Sequence, residues 1–98
     1  MEPLYVWITT RQLKPGSFDD FQNAWRPEER PEGIQRAFAY WSADGREVMG
    51  VSLWDSKDSC DHWRASAAEA RRREAMAPFI EEETEAFYEG RELGLPGG

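Results

Sequence analysis

The sequence predicts an α+β domain with elements in the order βαββαβ, and three observations carry that expectation. Runs rich in β-branched and aromatic residues recur along the chain, several with two-residue alternation. Two other stretches place apolar residues at three- and four-residue spacing. The middle two strands are joined by Asp44-Gly45, a pair suited to a tight type I′ hairpin turn. This order folds as a four-stranded antiparallel sheet with its helices on one face.

The first strand is expected over Leu4 to Gln12, with Leu4, Val6 and Ile8 on one side and Tyr5, Trp7 and Thr9 on the other. Lys14-Pro15-Gly16 makes a turn. Ser17 is placed as a helix N-cap, with Asp19 and Asp20 in the positive first turn. Phe18, Phe21 and Trp25 form one helical stripe. Pro27, Pro31 and Gly33 then bracket a charged loop.

The second and third strands are expected over Ile34 to Ser42 and Glu47 to Trp54. In the second, Ile34, Phe38 and Tyr40 share a face, opposite Ala37, Ala39 and Trp41. In the third, Val48, Gly50, Ser52 and Trp54 alternate with Met49, Val51 and Leu53. Asp55 and Ser56 are candidate caps for one continuing helix whose Cys60, Trp63, Ala67 and Ala70 fall on one stripe. Arg71 to Arg73, with Glu69 and Glu74, read as its solvated face. Pro78 ends or kinks that helix, while Met76, Phe79 and Ile80 extend an apolar contact surface. A last strand is expected over Thr84 to Leu93. Residues 1–93 make a single domain, and 94–98 a flexible tail.

Ninety-eight residues give one core, and a chain this short buries only somewhat more than roughly 60% of its unfolded surface. Five tryptophans, Trp7, Trp25, Trp41, Trp54 and Trp63, must therefore fill a core, an interface or an apolar pocket. Two helices cover one sheet face only. The other would still show residues such as Trp7, Tyr40 or Trp54, depending on register, so pairing with a second copy through that face is the expected remedy.

The formal charge of −7 argues against nucleic acid or an anionic membrane as partner. A single cysteine, Cys60, leaves no internal disulfide, and no apolar run reaches the roughly 18 residues of a span. With no secretory pattern at the N-terminus, the cytoplasm is the expected location. One histidine and one cysteine make no spaced ligand cluster, so no metal site is expected.

The segment Val51-Ser-Leu-Trp-Asp-Ser-Lys-Asp-Ser-Cys-Asp-His-Trp63 resembles the antibiotic biosynthesis monooxygenase family, of the dimeric α+β barrel superfamily. In that family a strand ends in an apolar residue and Trp, and a helix with a second aromatic follows. The Lys14-Pro-Gly-Ser-Phe turn, the Asp44-Gly45 hairpin and Met76-Ala-Pro-Phe79 stand in the matching order, so the resemblance extends to Leu93. It implies a ferredoxin-like sheet, a homodimer, and oxygenation of a small aromatic, quinol or polyketide-like substrate without a cofactor, in a cleft between sheet and helices. It equally accommodates a non-catalytic ligand-binding or interaction module. Isomerase or cyclase work is a third option, by fold analogy alone.

Members that oxidise polyketides carry an Asn four residues before the strand-ending Trp. The Trp is matched by Trp54, but the amide position is Gly50. Heme-degrading members share the helix Trp, matched by Trp63. Their iron-ligating His has no match near Arg71-Arg72-Arg73, and their first-strand Asn is replaced by Thr9 and Thr10. The pattern argues against heme degradation.

Cofactor-free oxygenation needs a substrate held as an electron-rich anion in a dry pocket. The candidate substrate-binding residues are aromatic walls from Trp7, Tyr40, Trp54 and Trp63, hydroxyls of Thr9 and Ser52, and a cation, Arg36 or Arg11. Competing readings are plainer. Trp54 and Trp63 also suit simple packing, His62 a salt-linked surface site and Cys60 an inert core thiol.

Overall fold

The computed structural model describes residues 3–97. Met1, Glu2 and Gly98, counted above with the domain and its tail, lie outside the described residues. The strands are β1 (Leu4–Leu13), β2 (Ile34–Trp41), β3 (Glu47–Trp54) and β4 (Ile80–Gly90). The helices are α1 (Phe18–Trp25), α2 (Lys57–Arg64) and α3 (Ala67–Met76), with a 3-10 turn at Ala77–Phe79. The sheet is antiparallel throughout in the order β2-β3-β1-β4. This is the ferredoxin-like α+β arrangement expected from the alternation.

Register decides which residues meet the helices. Trp7 pairs with Ser52 and Phe87, Thr9 with Gly50 and Glu85, and Arg11 with Val48 and Glu83. Continuing onto β2, Ser52 pairs with Ala37 and Gly50 with Ala39. Residues directly opposite one another share a face, so these rows line the helix side. Two cores hold the layers together. One joins Trp7, Trp54, Cys60 and Trp63 under α2; the other joins Leu13, Phe21, Val48 and Met76 under α1 and α3.

Several local expectations change. Ser17 precedes α1 but its side chain makes no capping hydrogen bond. The long helix expected after Ser56 is two helices. Ser66 interrupts it and caps α3, its hydroxyl accepting from the Glu69 N–H, much as Ser56 accepts from Ser59 N–H at α2. Glu69 is not on a solvated face: it is fully buried, paired with Arg72 at 2.8 Å and Arg73 at 3.3 Å. The last strand begins at Ile80 and ends at Gly90, because β1 keeps pairing back to Leu13↔Ile80 across an irregularity.

In β2 the register shifts between Ile34 and Arg36. Ile34 therefore turns to the helix side and packs on the Trp7–Trp54 core, parted from Phe38 and Tyr40. Trp7 and Trp54, counted among residues the open face might display, are both buried on the helix side, at 5% and 1% exposure. The open face carries Val6, Ile8, Met49, Val51, Leu53, Phe38, Tyr40 and Tyr88 instead. Among the described residues no helix is long and apolar enough to cross a membrane.

Candidate functional site

Between the two cores, small residues leave the helix side of the sheet unfilled. Thr9–Gly50–Ala39 and Ser52–Ala37 form adjoining rows with little side-chain volume, and above them lies a cavity of about 350 Å³. That is at the lower end of the roughly 300–1,000 Å³ usual for small-ligand sites. Trp7, Trp54, Trp63 and Ile34 wall one end. Trp25, from the end of α1, and Pro27 and Pro31, from the loop after it, wall the other. Phe21 fixes Trp25 in place, with ring centroids 5.2 Å apart.

Gly50 is required here by a close approach. A Cβ at this position would stand 2.9 Å from Thr9 Oγ1 and 3.2 Å from a ring carbon of Trp25. The missing side chain lets the indole and the hydroxyl face each other across the sheet surface.

The polar groups are few and ordered. Trp54 Nε1 donates to Ser52 Oγ at 2.8 Å, and Ser52 Oγ donates to the Trp7 carbonyl at 3.3 Å. Arg11, 1% exposed, donates from Nε to Glu83 at 2.6 Å and from Nη1 to Thr9 Oγ1 at 2.9 Å. Its Nη2 is buried with no partner among the described residues. Burial lowers the pKa of Arg11 from the usual guanidinium value, opposed chiefly by the adjacent Glu83 carboxylate. Arg72 donates from Nε to the Trp25 carbonyl at 2.6 Å and from Nη1 to Glu69, tying the end of α1 to α3.

The structure brings Trp7, Thr9, Ser52, Trp54 and Trp63 together on this cavity. Arg36 and Tyr40 lie elsewhere: they pair with Leu53 and Met49 on the opposite, open face of the sheet. Arg36 stacks over Phe38 at 4.8 Å, and Tyr40 is 53% exposed. Of the two alternative cations, register selects Arg11. Trp25 and Arg72 went unnoticed as cavity residues because each had a simpler reading, as helix stripe and as solvated run. The signal for Arg11 was available: it is two residues beyond Thr9 on one strand and so shares its face.

The remaining candidates lie off the cavity. Cys60 is fully buried, and burial pushes its thiol up to about 11. His62 is exposed and makes no ion pair among the described residues, unlike the salt-linked site expected for it.

No family model matches the chain, and no curated protein matches it. Solved structures do. One is a candidate antibiotic biosynthesis monooxygenase from Nitrosomonas europaea, 21% identical, with 92% of each chain covered and a TM-score of 0.82. Another is SnoaB, a cofactor-independent oxygenase from Streptomyces nogalater, 14% identical, covering 96% of this chain and 98% of that one at a TM-score of 0.81. A conserved protein from Methanosarcina mazei is also 14% identical, covering 92% and 95% at 0.81. The chain thus has the ferredoxin-like α+β fold of the antibiotic biosynthesis monooxygenase structures, over nearly its whole length.

Proposed function

We propose that the chain is a cofactor-independent monooxygenase that acts on a small aromatic, quinol or polyketide-like substrate in the cavity, and works as a cytoplasmic homodimer. One observation carries this reading: an aromatic-walled cavity whose polar groups include a hydroxyl backed by a buried cation, Thr9 and Arg11. SnoaB, an oxygenase without a cofactor, supports it by sharing the fold. Trp7, Thr9, Ser52, Trp54 and Trp63 are the proposed substrate contacts on this surface. Indole walls exclude water and stack on a planar substrate. The Thr9–Arg11 pair stabilises negative charge on a substrate oxygen, which makes the ring electron-rich toward oxygen. The homodimer forms through the apolar open face of the sheet.

The test is oxygen consumption by the purified protein with a panel of anthrones and quinols. Uptake above the protein-free rate, lost on Trp54→Ala, is the expected result. No uptake with any member of the panel removes the oxygenase reading.

A second reading has its own observation. Among the described residues no His, Asp or Glu lines the cavity, so no side chain of that lining is suited to remove a proton at neutral pH. A non-catalytic module that binds the same ligands without turnover fits that lining. Ligand binding with no oxygen uptake distinguishes it.

A further inference from the structure

The two ends of the cavity are built differently. Trp7 and Trp54 belong to the sheet, are buried, and have their indole N–H groups taken by Glu85 and Ser52. Neither can shrink without emptying the core beneath α2. Trp25 stands at the other end, half-buried, as the last residue of α1. Its place follows from the order Trp25-Arg26-Pro27. Pro27 disfavours helical backbone at Arg26, which is extended with ψ 127°, so α1 stops with the indole over the sheet. Arg72 holds the Trp25 carbonyl at 2.6 Å, and the fully buried Phe21 packs on the ring. The indole reaches the cavity floor itself. Trp25 Cζ2 lies 3.2 Å, and Cε2 3.8 Å, from where a Gly50 side chain would begin.

We propose that Trp25 is the specificity-determining residue of the site: laid on Gly50, its indole is a length stop that admits two fused aromatic rings and turns away three. This rests on the cavity being the ligand site, and it names the size of what that site takes. Volume sets the limit. A cavity of roughly 150 Å³ takes up one benzene ring, so about 350 Å³ holds about two. Packed interiors yield little to added volume, and this wall is fixed twice, at its backbone by Arg72 and at its ring by Phe21. A third ring in line with the first two meets the indole. Turned the other way, it passes over Ala37 and Ala39, both exposed, and stays in water. In neither direction does the added ring gain burial. Replacing the indole by a methyl group lengthens the cavity toward Val48, the next helix-side residue of β3 beyond Gly50. Trp25 packs only against the margin of the second core, so that core keeps its buried members.

The probes are naphthazarin and quinizarin, coloured dihydroxyquinones that differ by one fused ring, each equilibrated with the full chain by dialysis. The larger is the more apolar, so a site without a stop binds it more tightly. Wild type should do the reverse and bind naphthazarin at least about tenfold more tightly, as overpacking against a fixed wall demands. Trp25→Ala should erase or invert that preference and Trp25→Phe should keep most of it, with near-ultraviolet circular dichroism reporting that both variants fold. The wild-type ratio tests the stop even where a variant does not fold. Wild type that binds quinizarin as tightly as naphthazarin overturns the inference, as does a folded Trp25→Ala protein that keeps the wild-type preference. Binding of neither quinone overturns it together with the cavity as the ligand site. Oxygen uptake with no preference between two rings and three overturns the length stop alone and leaves the oxygenase reading standing. A two-ring preference without oxygen uptake upholds the stop and removes the oxygenase reading.

Discussion

The Trp7 indole donates to the Glu85 carboxylate at 2.8 Å, and this bond joins the cavity wall to the edge strand. Glu85 also receives Arg64 at 3.0 Å and Arg73 at 3.4 Å, so one carboxylate ties β1, α2, α3 and β4 together. Arg64 and Arg73 lie over the Trp7 ring at 5.4 and 5.6 Å, adding a cation–π contribution.

The pH dependence of that junction has a definite sign. Burial alone would raise the Glu85 pKa, but Arg73, the Trp7 indole and Arg64 together outweigh it and leave the carboxyl below its ordinary value of 4.5. A pKa depressed in the folded state contributes stability that is present above the unfolded value and lost as pH falls through the folded one. Urea midpoints should therefore drop below about pH 4.5. Glu85→Gln should be less stable than wild type at pH 7, with the gap closing as acid protonates the wild-type side chain. A gap that persists unchanged at pH 3 would show that the charge is not what matters.

The element order βαββαβ was legible from alternation and spacing, although the last strand runs Ile80–Gly90 and not Thr84 to Leu93. The face of each β2 residue was not. A single shift between Ile34 and Arg36 sends Ile34 to the core and Arg36 to the open side, and alternation counted from either end gives a different answer. Ser66 likewise breaks a helix that spacing alone reads as continuous, since its hydroxyl offers the next turn a cap. Glu69 was misplaced for a related reason. A charged residue amid arginines looks solvated until the fold folds them over it, and only tertiary structure shows that its partners close around it.

Glu69 carries the strongest stability prediction. Its carboxylate is 0% exposed and receives Arg72 and Arg73, while Arg72 also holds the Trp25 carbonyl. Removing one member of a buried pair costs about 3–5 kcal/mol, because the other charges lose their compensation. The partly exposed arginines put Glu69→Ala at the lower end, about 3 kcal/mol. Chemical denaturation measures it. A loss under about 1 kcal/mol would mean the arginines simply turn to water.

Gly50→Ala tests the packing of the cavity. The new methyl group would meet Thr9 Oγ1 at 2.9 Å and Trp25 at 3.2 Å, so one of them must move. Overpacking of this kind costs about 1–3 kcal/mol. The ring of Trp25 should be displaced, visible as a change in tryptophan fluorescence, and ligand affinity should fall at least about tenfold as the floor rises, about 1.4 kcal/mol. Unchanged fluorescence and affinity would place the ligand elsewhere.

Cys60 should be chemically quiet. It is fully buried among Trp7, Trp54 and Trp63, and its thiol is pushed up to about 11, which leaves almost no thiolate at neutral pH. Reaction with a disulfide reagent should be slow in the native protein and complete within minutes in denaturant. Rapid native labelling would show that α2 opens away from the sheet.

The open face of the sheet sets the last expectation. Val51 pairs with Ile8 on one side and Phe38 on the other, which puts it in the middle of an apolar surface that the helices do not cover. Burying that surface against its copy is favourable at roughly 25 cal/mol per Å² of apolar area, and a two-fold axis through the sheet centre brings Val51 close to its own symmetry mate. Val51→Arg would then set two cations against each other in an apolar contact, with no carboxylate opposite on the neighbouring strands at that level. Sedimentation should show wild type at the dimer mass and the variant at the monomer mass, with far-ultraviolet circular dichroism unchanged. Were wild type itself to sediment as a monomer at micromolar concentration, the sheet face would be wetted and the homodimer lost.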